Sequence, residues 1–500
     1  MGSSVNAPVS APTLSLAEPR MLIGGELVDA LSGRVFENID PATEDVLGVT
    51  ADGSTEDADR AVSAARRAFD TTDWSTNSSL RSRVLRQLAD AMDERRADLG
   101  EVVTAEAGAP MALHDMMQVG PGIESLRWMA DLADTYEYEK QFPTRVALGT
   151  STAPLVRKEA AGVVAAITAW NYPFFLNMVK LSAALAAGCT VVLKPAPDTP
   201  WSATMIGKLA AEYTDMPAGV LNVVTSSDNA VGEALTTDPR VDVVTFTGST
   251  ATGRKILAAG APTVKRTLLE LGGKSAAIVL EDADMQAAIG QIAGSVCSHA
   301  GQGCALTTRL LLPRSRYDEG LEVAQAVMSA MVPGDPKDPS TFIGPVINAV
   351  QLERVLGYIE LGRTEGRIVF GGGRAENHDR GFYVNPTLIA DVAPDARIAQ
   401  EEIFGPVLVV IPYETEDEAI DIANNSLYGL SGSVFGGDVA HATDVARRVR
   451  TGTISVNGAA FLADDVPFGG YRHSGLGREH GVEGFEEFLE SKTIGIPATA

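Results

Sequence analysis

One cysteine sits where a thiol could do chemistry. The stretch HAGQGCALTTR, from His299 to Arg309, carries Cys304 behind Gly301 and Gly303, with Gln302 between them. Two glycines free the backbone of Cβ constraints, so the chain can turn sharply and approach a ligand closely. A cysteine on such a turn can present its sulfur to a cleft while its own backbone N–H stays free to donate. That is what a thiol nucleophile with a built-in oxyanion donor requires. Taken alone, Cys304 reads more simply as a small buried side chain in a glycine-rich turn.

Three further stretches carry candidate chemistry. In FTGSTATG, Phe246 to Gly253, an apolar strand runs into a Gly-Ser turn and a helix starts at once. Backbone N–H groups at a helix start attract a phosphate, and Gly248 permits close approach. The pattern is not G-x-G-x-x-G, and an ordinary strand-to-helix turn has equal weight. In TAWNYP, Thr168 to Pro173, Asn171 lies at another strand end, before an aromatic residue and a proline that hold the chain extended or turned. Its amide can donate to an oxyanion, or simply shape the turn. In LLELGGKS, Glu270 stands between leucines ahead of Gly272 and Gly273. Apolar company disfavours a carboxylate and raises its pKa toward the range useful to a general base. The alternatives are an exposed strand edge, or a pair with Lys274.

Composition narrows the partners. The chain has 500 residues, 45% of them hydrophobic, and 65 acidic against 40 basic side chains give a net charge of −25. That length predicts two or three domains with a substantial core. The acidic balance argues against nucleic acid or an anionic membrane surface. Three cysteines, Cys189, Cys297 and Cys304, form no disulfide framework, and with few, unclustered histidines they predict no metal site. Cys189 and Cys297 read as core. No run reaches the ~18 apolar residues needed to span a bilayer. The first nineteen residues, rich in Ser, Ala and Pro, have no positive charge before Arg20 and lack the form of a signal peptide. Asn6 stands where a myristoylation signal wants Ser or Thr. A cytoplasmic protein with a disordered tail over residues 1–19 is expected.

The elements that must position these residues follow from periodicity. Short strands and turns run from Met21 to Val49, with Gly24-Gly25 as a hairpin signal. A helical period follows from Thr55 to Leu99: one helix capped by Ser54 or Thr55, a second from Ser79 to Leu99, and a third from near Gly122. QFPTRVALGTSTAPLVRKEA reads as two short strands and a turn. From GVVAAITAW onward, apolar strands alternate with helices, which predicts βαβ units and a parallel sheet covered on both faces. The second half repeats the theme less regularly, and TLLELGGKS joins the halves.

In this order WNYP, LKPAP, FTGST, LELGGKS, GQGC, EEIFGPV and PFGGYRHSGLGRE resemble the NAD(P)-dependent aldehyde dehydrogenases, over about Leu22 to Ile494. The resemblance implies an α/β fold: a Rossmann-type NAD-binding domain over residues 20–134 and 158–269, and an α/β catalytic domain over 270–471. A small β flap, 138–157 with 485–500, has an open edge that implies a homodimer or homotetramer. It implies that Cys304 attacks an aldehyde, that Asn171 and the Cys304 N–H hold the oxyanion, and that Glu270 activates the water that hydrolyses the thioester. Glu479 and Lys180 resemble a proton-relay pair, though a solvated surface place suits both equally. For the cofactor it implies Ile167, Thr168, Ala169 and Trp170 along the dinucleotide, and Lys194 at the adenine-side ribose with Ala196 and Pro197 beside it. Phe246, Thr247, Gly248, Ser249 and Thr252 fall near the pyrophosphate. Glu402 and Phe404 fall at the nicotinamide ribose, and Gly232, Leu271 and Gly272 line the same groove.

One position departs from the pattern. Pro197 stands where many NAD-preferring members carry a Glu, so rejection of NADP is weakened, while no Arg in KPAPDTPW selects it. NAD is expected, with NADP possible. Tyr172, Leu176, Gly303 and Phe461 are implied in the substrate mouth; being neutral or apolar, they suit an uncharged, aromatic or medium-chain aldehyde. A thiol esterase and a non-catalytic ligand-binding protein are the competing readings.

Overall fold

The computed structural model of the chain describes residues 14–498. The expected tail falls mostly on residues 1–13, outside the described residues. From Leu14 the chain is packed rather than tail-like: Leu16 and Ala17 are buried in an apolar core, and Glu18 pairs with Arg20.

A hairpin of β1 (Met21–Ile23) and β2 (Glu26–Val28) turns at Gly24 and Gly25, both at positive φ, and β3 (Val35–Ile39) pairs with β4 (Val46–Ala51). A capping box between Ser54 and Asp57 starts α1 (Thr55–Thr71). Asn77 caps α2 (Ser78–Asp93). The single helix expected to Leu99 is in fact two. The chain breaks at Arg95, whose guanidinium turns back onto the Ala91 carbonyl and over the Tyr213 ring, and resumes as α3 (Arg96–Ala107). After a turn of wider, π-type helix over His114–Gln118 comes α4 (Val119–Thr135), earlier than the expected Gly122. Then β5 (Glu139–Gln141), β6 (Arg145–Ala147) and β7 (Thr150–Ala160) form an exposed ribbon.

The alternation follows: β8 (Val163–Ile167), α5 (Pro173–Ala187), β9 (Thr190–Lys194), α6 (Trp201–Tyr213), β10 (Leu221–Val223), α7 (Asn229–Thr237), β11 (Val243–Thr247), α8 (Thr250–Gly260) and β12 (Arg266–Glu270). Strands β8 to β11 are buried almost throughout, because helices cover both faces, and so they read as continuous apolar runs. They pair in parallel in the order β10-β9-β8-β11-β12, with β1 and β2 added antiparallel beyond β10. The chain builds outward from β8 through β9 and β10, then returns to begin β11 on the other side of β8. That reversal opens a crevice at the carboxyl ends of β8 and β11, where doubly wound sheets hold their ligands.

The short segment Leu271–Ser275 carries the chain to a second sheet. This comprises β13 (Ala276–Val279), α9 (Met285–Cys297), β14 (Arg309–Pro313), α10 (Tyr317–Ala330), α11 (Ala349–Glu365), β15 (Arg367–Phe370), β16 (Thr387–Ala390), α12 (Arg397–Gln400), β17 (Val407–Tyr413), α13 (Glu416–Asn424), β18 (Gly432–Phe435), α14 (Val439–Arg448) and β19 (Ser455–Val456). Its strand order is β15-β16-β17-β14-β13-β18-β19, parallel except at β15, around its own apolar core. The chain then returns: β20 (Gly475–Leu476) lies antiparallel on β12. After α15 (Gly481–Glu486), β21 (Leu489–Pro497) runs antiparallel along β7, from Leu489 opposite Ala160 to Pro497 opposite Thr152. The two sheets thus meet where Glu270 ends β12 and Ala276 begins β13.

Candidate active site

Cys304 lies on the loop between α9 and β14. The loop enters through three consecutive left-handed residues, His299 (φ 47°), Ala300 (φ 53°) and Gly301 (φ 69°). A Cβ on Gly301 would collide with the backbone of Gly405. Gln302 is fully buried and clamps the turn: its Oε1 accepts from the Ile347 N–H at 2.9 Å, and its Nε2 donates to the carbonyls of His299 (3.2 Å) and Pro345 (3.3 Å). Asn171, just before α5, is tied to this loop in both directions. Its Nδ2 donates to the Gln302 carbonyl at 2.8 Å, and its own carbonyl accepts from His299 Nε2 at 2.6 Å. Gly273 closes the other side, since a Cβ there would lie 2.5 Å from the Cys304 carbonyl.

The carboxylate of Glu270 is buried, and neither of its oxygens has a hydrogen-bond partner. It is not at an exposed edge, nor paired with Lys274, whose Nζ is also unpartnered. Burial, with the nearby Glu479 carboxylate second, pushes Glu270 well above the usual carboxylate range; Lys180 and Arg478 oppose this. Lys180 and Glu479 do not lie on a solvated surface. They form a buried pair at 2.7 Å, with Lys180 also donating to Thr245 at 3.0 Å. Burial, and then the carboxylates of Glu270, Glu402 and Glu479, push the Cys304 thiol up to about 12. The resting thiol is therefore protonated and must lose its proton to a neighbour to react. Cys189 and Cys297 are buried in the cores, away from any cleft.

The crevice gathers the other residues. Ile167 ends β8, and the Thr168 N–H donates to the Lys194 carbonyl at 3.1 Å while its hydroxyl bonds Asn177 of α5 at 2.7 Å. Ala169 and Trp170 follow, and the Trp170 ring meets Phe404 edge-on at 5.3 Å. Lys194 ends β9, buried and lowered to about 8 by that burial, against the pull of Asp228 and Asp52. Ala196 is buried beyond it and Pro197 is exposed. Gly232 of α7 stands over the Lys194 chain, so that a Cβ there would lie 3.8 Å from it. Phe246 and Thr247 end β11, and the Phe246 ring lies under Gly248. Ser249 caps α8 by accepting the Thr252 N–H, and Leu271 packs beneath Gly253. From the second sheet, Glu402 accepts the Gly273 N–H at 2.8 Å and packs against Gly272. A helix start, a glycine that keeps space open over Lys194, and the buried, unpartnered Thr247 hydroxyl suit a dinucleotide.

Tyr172, Leu176, Gly303 and Phe461 line a cavity of about 310 Å³ that reaches Cys304 and Glu479. Sequence reasoning missed much of its wall: Met116, Met117, Phe175, Phe468 and His480 also line it. Phe175 carried a signal, since it lies one helical turn beyond Asn171. Met116 and Met117 carried none, because they reach the cavity through the π-type turn. Among the described residues no group of His, Cys, Asp and Glu could hold a metal, and no helix is long and apolar enough to cross a membrane.

A dinucleotide crevice on one sheet, ending at a loop cysteine held against a second, defines an α/β oxidoreductase with a thiol at its reacting end. The chain belongs to the aldehyde dehydrogenase family, whose profile, "Aldehyde dehydrogenase family", matches residues 27–494. It is thus an NAD(P)-dependent enzyme that oxidises an aldehyde to the acid. It is similar to geranial dehydrogenase of Castellaniella defragrans, 41% identical over 483 residues, 96% of this chain and 99% of that one. It is also similar to 3-succinoylsemialdehyde-pyridine dehydrogenase of a Pseudomonas species, 42% identical over 94% and 97% of the two chains. Among crystal structures, an aldehyde dehydrogenase of Mycobacterium tuberculosis complexed with NAD+ matches with TM-score 0.92 and 42% identity, over 96% of this chain and 98% of that one. A Cys-to-Ala variant of aldehyde dehydrogenase C from Pseudomonas syringae, complexed with NAD+ and octanal, matches with TM-score 0.90 and 39% identity over 96% of each.

Proposed function

We propose that the chain oxidises neutral, largely apolar aldehydes of medium length, with NAD as acceptor and Cys304 as nucleophile. The carrying observation is the cavity that ends at Cys304: its lining is mostly apolar and includes no Lys or Arg among the described residues. A volume of about 310 Å³ suits a small, extended ligand. The geranial and octanal named for two relatives support the same substrate class.

In this reading Glu270 takes the Cys304 proton, directly or through a water, and the thiolate attacks the aldehyde carbon. Asn171 has two amide hydrogens. One is committed to the Gln302 carbonyl, and this orients the second toward the new oxyanion, opposite the Cys304 N–H. A nicotinamide held in the crevice would supply the hydride acceptor. Once Glu270 has passed that first proton outward, a water opens the thioester left on Cys304 and gives its proton to Glu270, which returns it to the departing thiolate as the acid is released. Glu479 and Lys180, one step behind Glu270, position and relay its proton. Glu402 and Phe404 would hold the nicotinamide ribose and Lys194 the adenine-side ribose. Gly248 and Ser249, at the start of α8, would take the phosphates, with Thr168 along the dinucleotide. The exposed β5-β6-β7-β21 ribbon supports a homodimer or homotetramer, and we place the protein in the cytoplasm.

The test is a panel of aldehydes assayed for NADH and NADPH formation. Octanal turned over with NAD supports the reading. Ester hydrolysis without NAD, and no aldehyde-dependent reduction, overturns it.

A further inference from the structure

One imidazole interrupts the apolar wall of the substrate cavity. His480 lines the cavity beside Phe175, with the two rings stacked at 5.8 Å and 23°. It is 3% exposed, and its Nδ1 has no hydrogen-bond partner. The carboxylate oxygen Asp464 Oδ1 lies 3.9 Å from it, too far for a direct bond. Its backbone sits at φ 58°, ψ 173°, a region that only glycine enters at ease. A strained backbone thus holds a buried polar ring in a place where an apolar side chain would match its neighbours.

We infer that His480 selects among aldehydes by accepting a hydrogen bond, through Nε2, from a hydroxyl carried on the substrate chain. The inference rests on the cavity being the aldehyde site. The Asp464 carboxylate near Nδ1 favours the tautomer with its proton there, and leaves the Nε2 lone pair free. Burial lowers the pKa of His480, against the opposing charge of Glu479, which favours the neutral ring. An imidazole acceptor in a mostly apolar cavity discriminates well, because leaving it unpaired costs what pairing it recovers.

The test compares alkanals from hexanal to decanal with the ω-hydroxyalkanals of the same lengths, in wild type, His480→Leu and His480→Gln. Leu and Gln meet the same backbone strain, so the difference between them reports the hydrogen bond. The wild type is expected to favour the hydroxyaldehyde at one chain length. His480→Leu should lower the hydroxy-to-plain kcat/KM ratio at that length by about tenfold, mainly through KM, and His480→Gln should restore part of it. An unchanged ratio at every length, or an equal loss for both series, overturns the inference. Failure of the wild type to oxidise either series overturns instead the reading beneath it.

Discussion

The side-chain amide of Asn171 donates to the carbonyl of Gln302 over 2.8 Å, joining residues 131 positions apart. One hydrogen of that amide fixes the cysteine loop, and in the proposed mechanism the other serves the reacting oxygen. Asn171→Ala removes both roles. We expect kcat to fall by about 10²–10³, the usual weight of one oxyanion donor. Steady-state NADH formation measures it, and a fall of less than about tenfold removes Asn171 from that role.

Cys304→Ala should abolish cofactor reduction, because neither other cysteine reaches the cavity. Glu270→Gln keeps the shape and loses the base. It should slow the opening of the thioester more than hydride transfer, so that a burst of NADH still precedes a slower steady state. Stopped-flow absorbance separates the two phases. Absence of the burst would remove the support for Glu270 in the hydrolytic step.

The pH profile follows from Glu270. Burial and Glu479 raise its pKa, so the ionised base appears only as pH climbs past a value above the ordinary carboxylate of about 4.3. The ascending limb of kcat/KM should lie correspondingly high. Lys180 opposes that shift, so Lys180→Met should move the limb further up. A limb unmoved in Lys180→Met would uncouple the Lys180–Glu479 pair from the base.

Gly301 tolerates no side chain. Alanine there meets left-handed strain and the Gly405 backbone together, and should cost roughly 2–4 kcal/mol of stability with loss of activity. Gly357, on an exposed position of α11 with nothing within 4 Å of a Cβ, gives the opposite sign. Gly357→Ala should stabilise by about 0.5–1 kcal/mol through helix propensity. Urea melts of both variants check the pair.

The proposed cofactor site puts the exposed Pro197 beyond Lys194, at the adenine-side ribose. Pro197→Glu adds a carboxylate where a 2′-phosphate would sit, and should raise the NAD-to-NADP ratio of kcat/KM by tenfold or so. An unchanged ratio would place the discrimination elsewhere in the crevice.

Sequence alone singled out the candidate reacting residues. Cys304, Asn171 and Glu270 each stand at a glycine-rich turn or an apolar strand end, and both are local patterns. The βαβ alternation was readable for the same reason: strands buried on both faces are apolar without interruption. The break at Arg95 was not readable, because a guanidinium folding back onto its own helix has no glycine or proline to announce it. Only the tertiary structure decided that Lys180 and Glu479 are a buried pair rather than surface charges, and that His299 and Gln302 are the braces of Asn171. It also decided that Met116 and His480 share one cavity wall. Burial and partnership are made by elements that meet across hundreds of positions, and no window of neighbouring residues contains them.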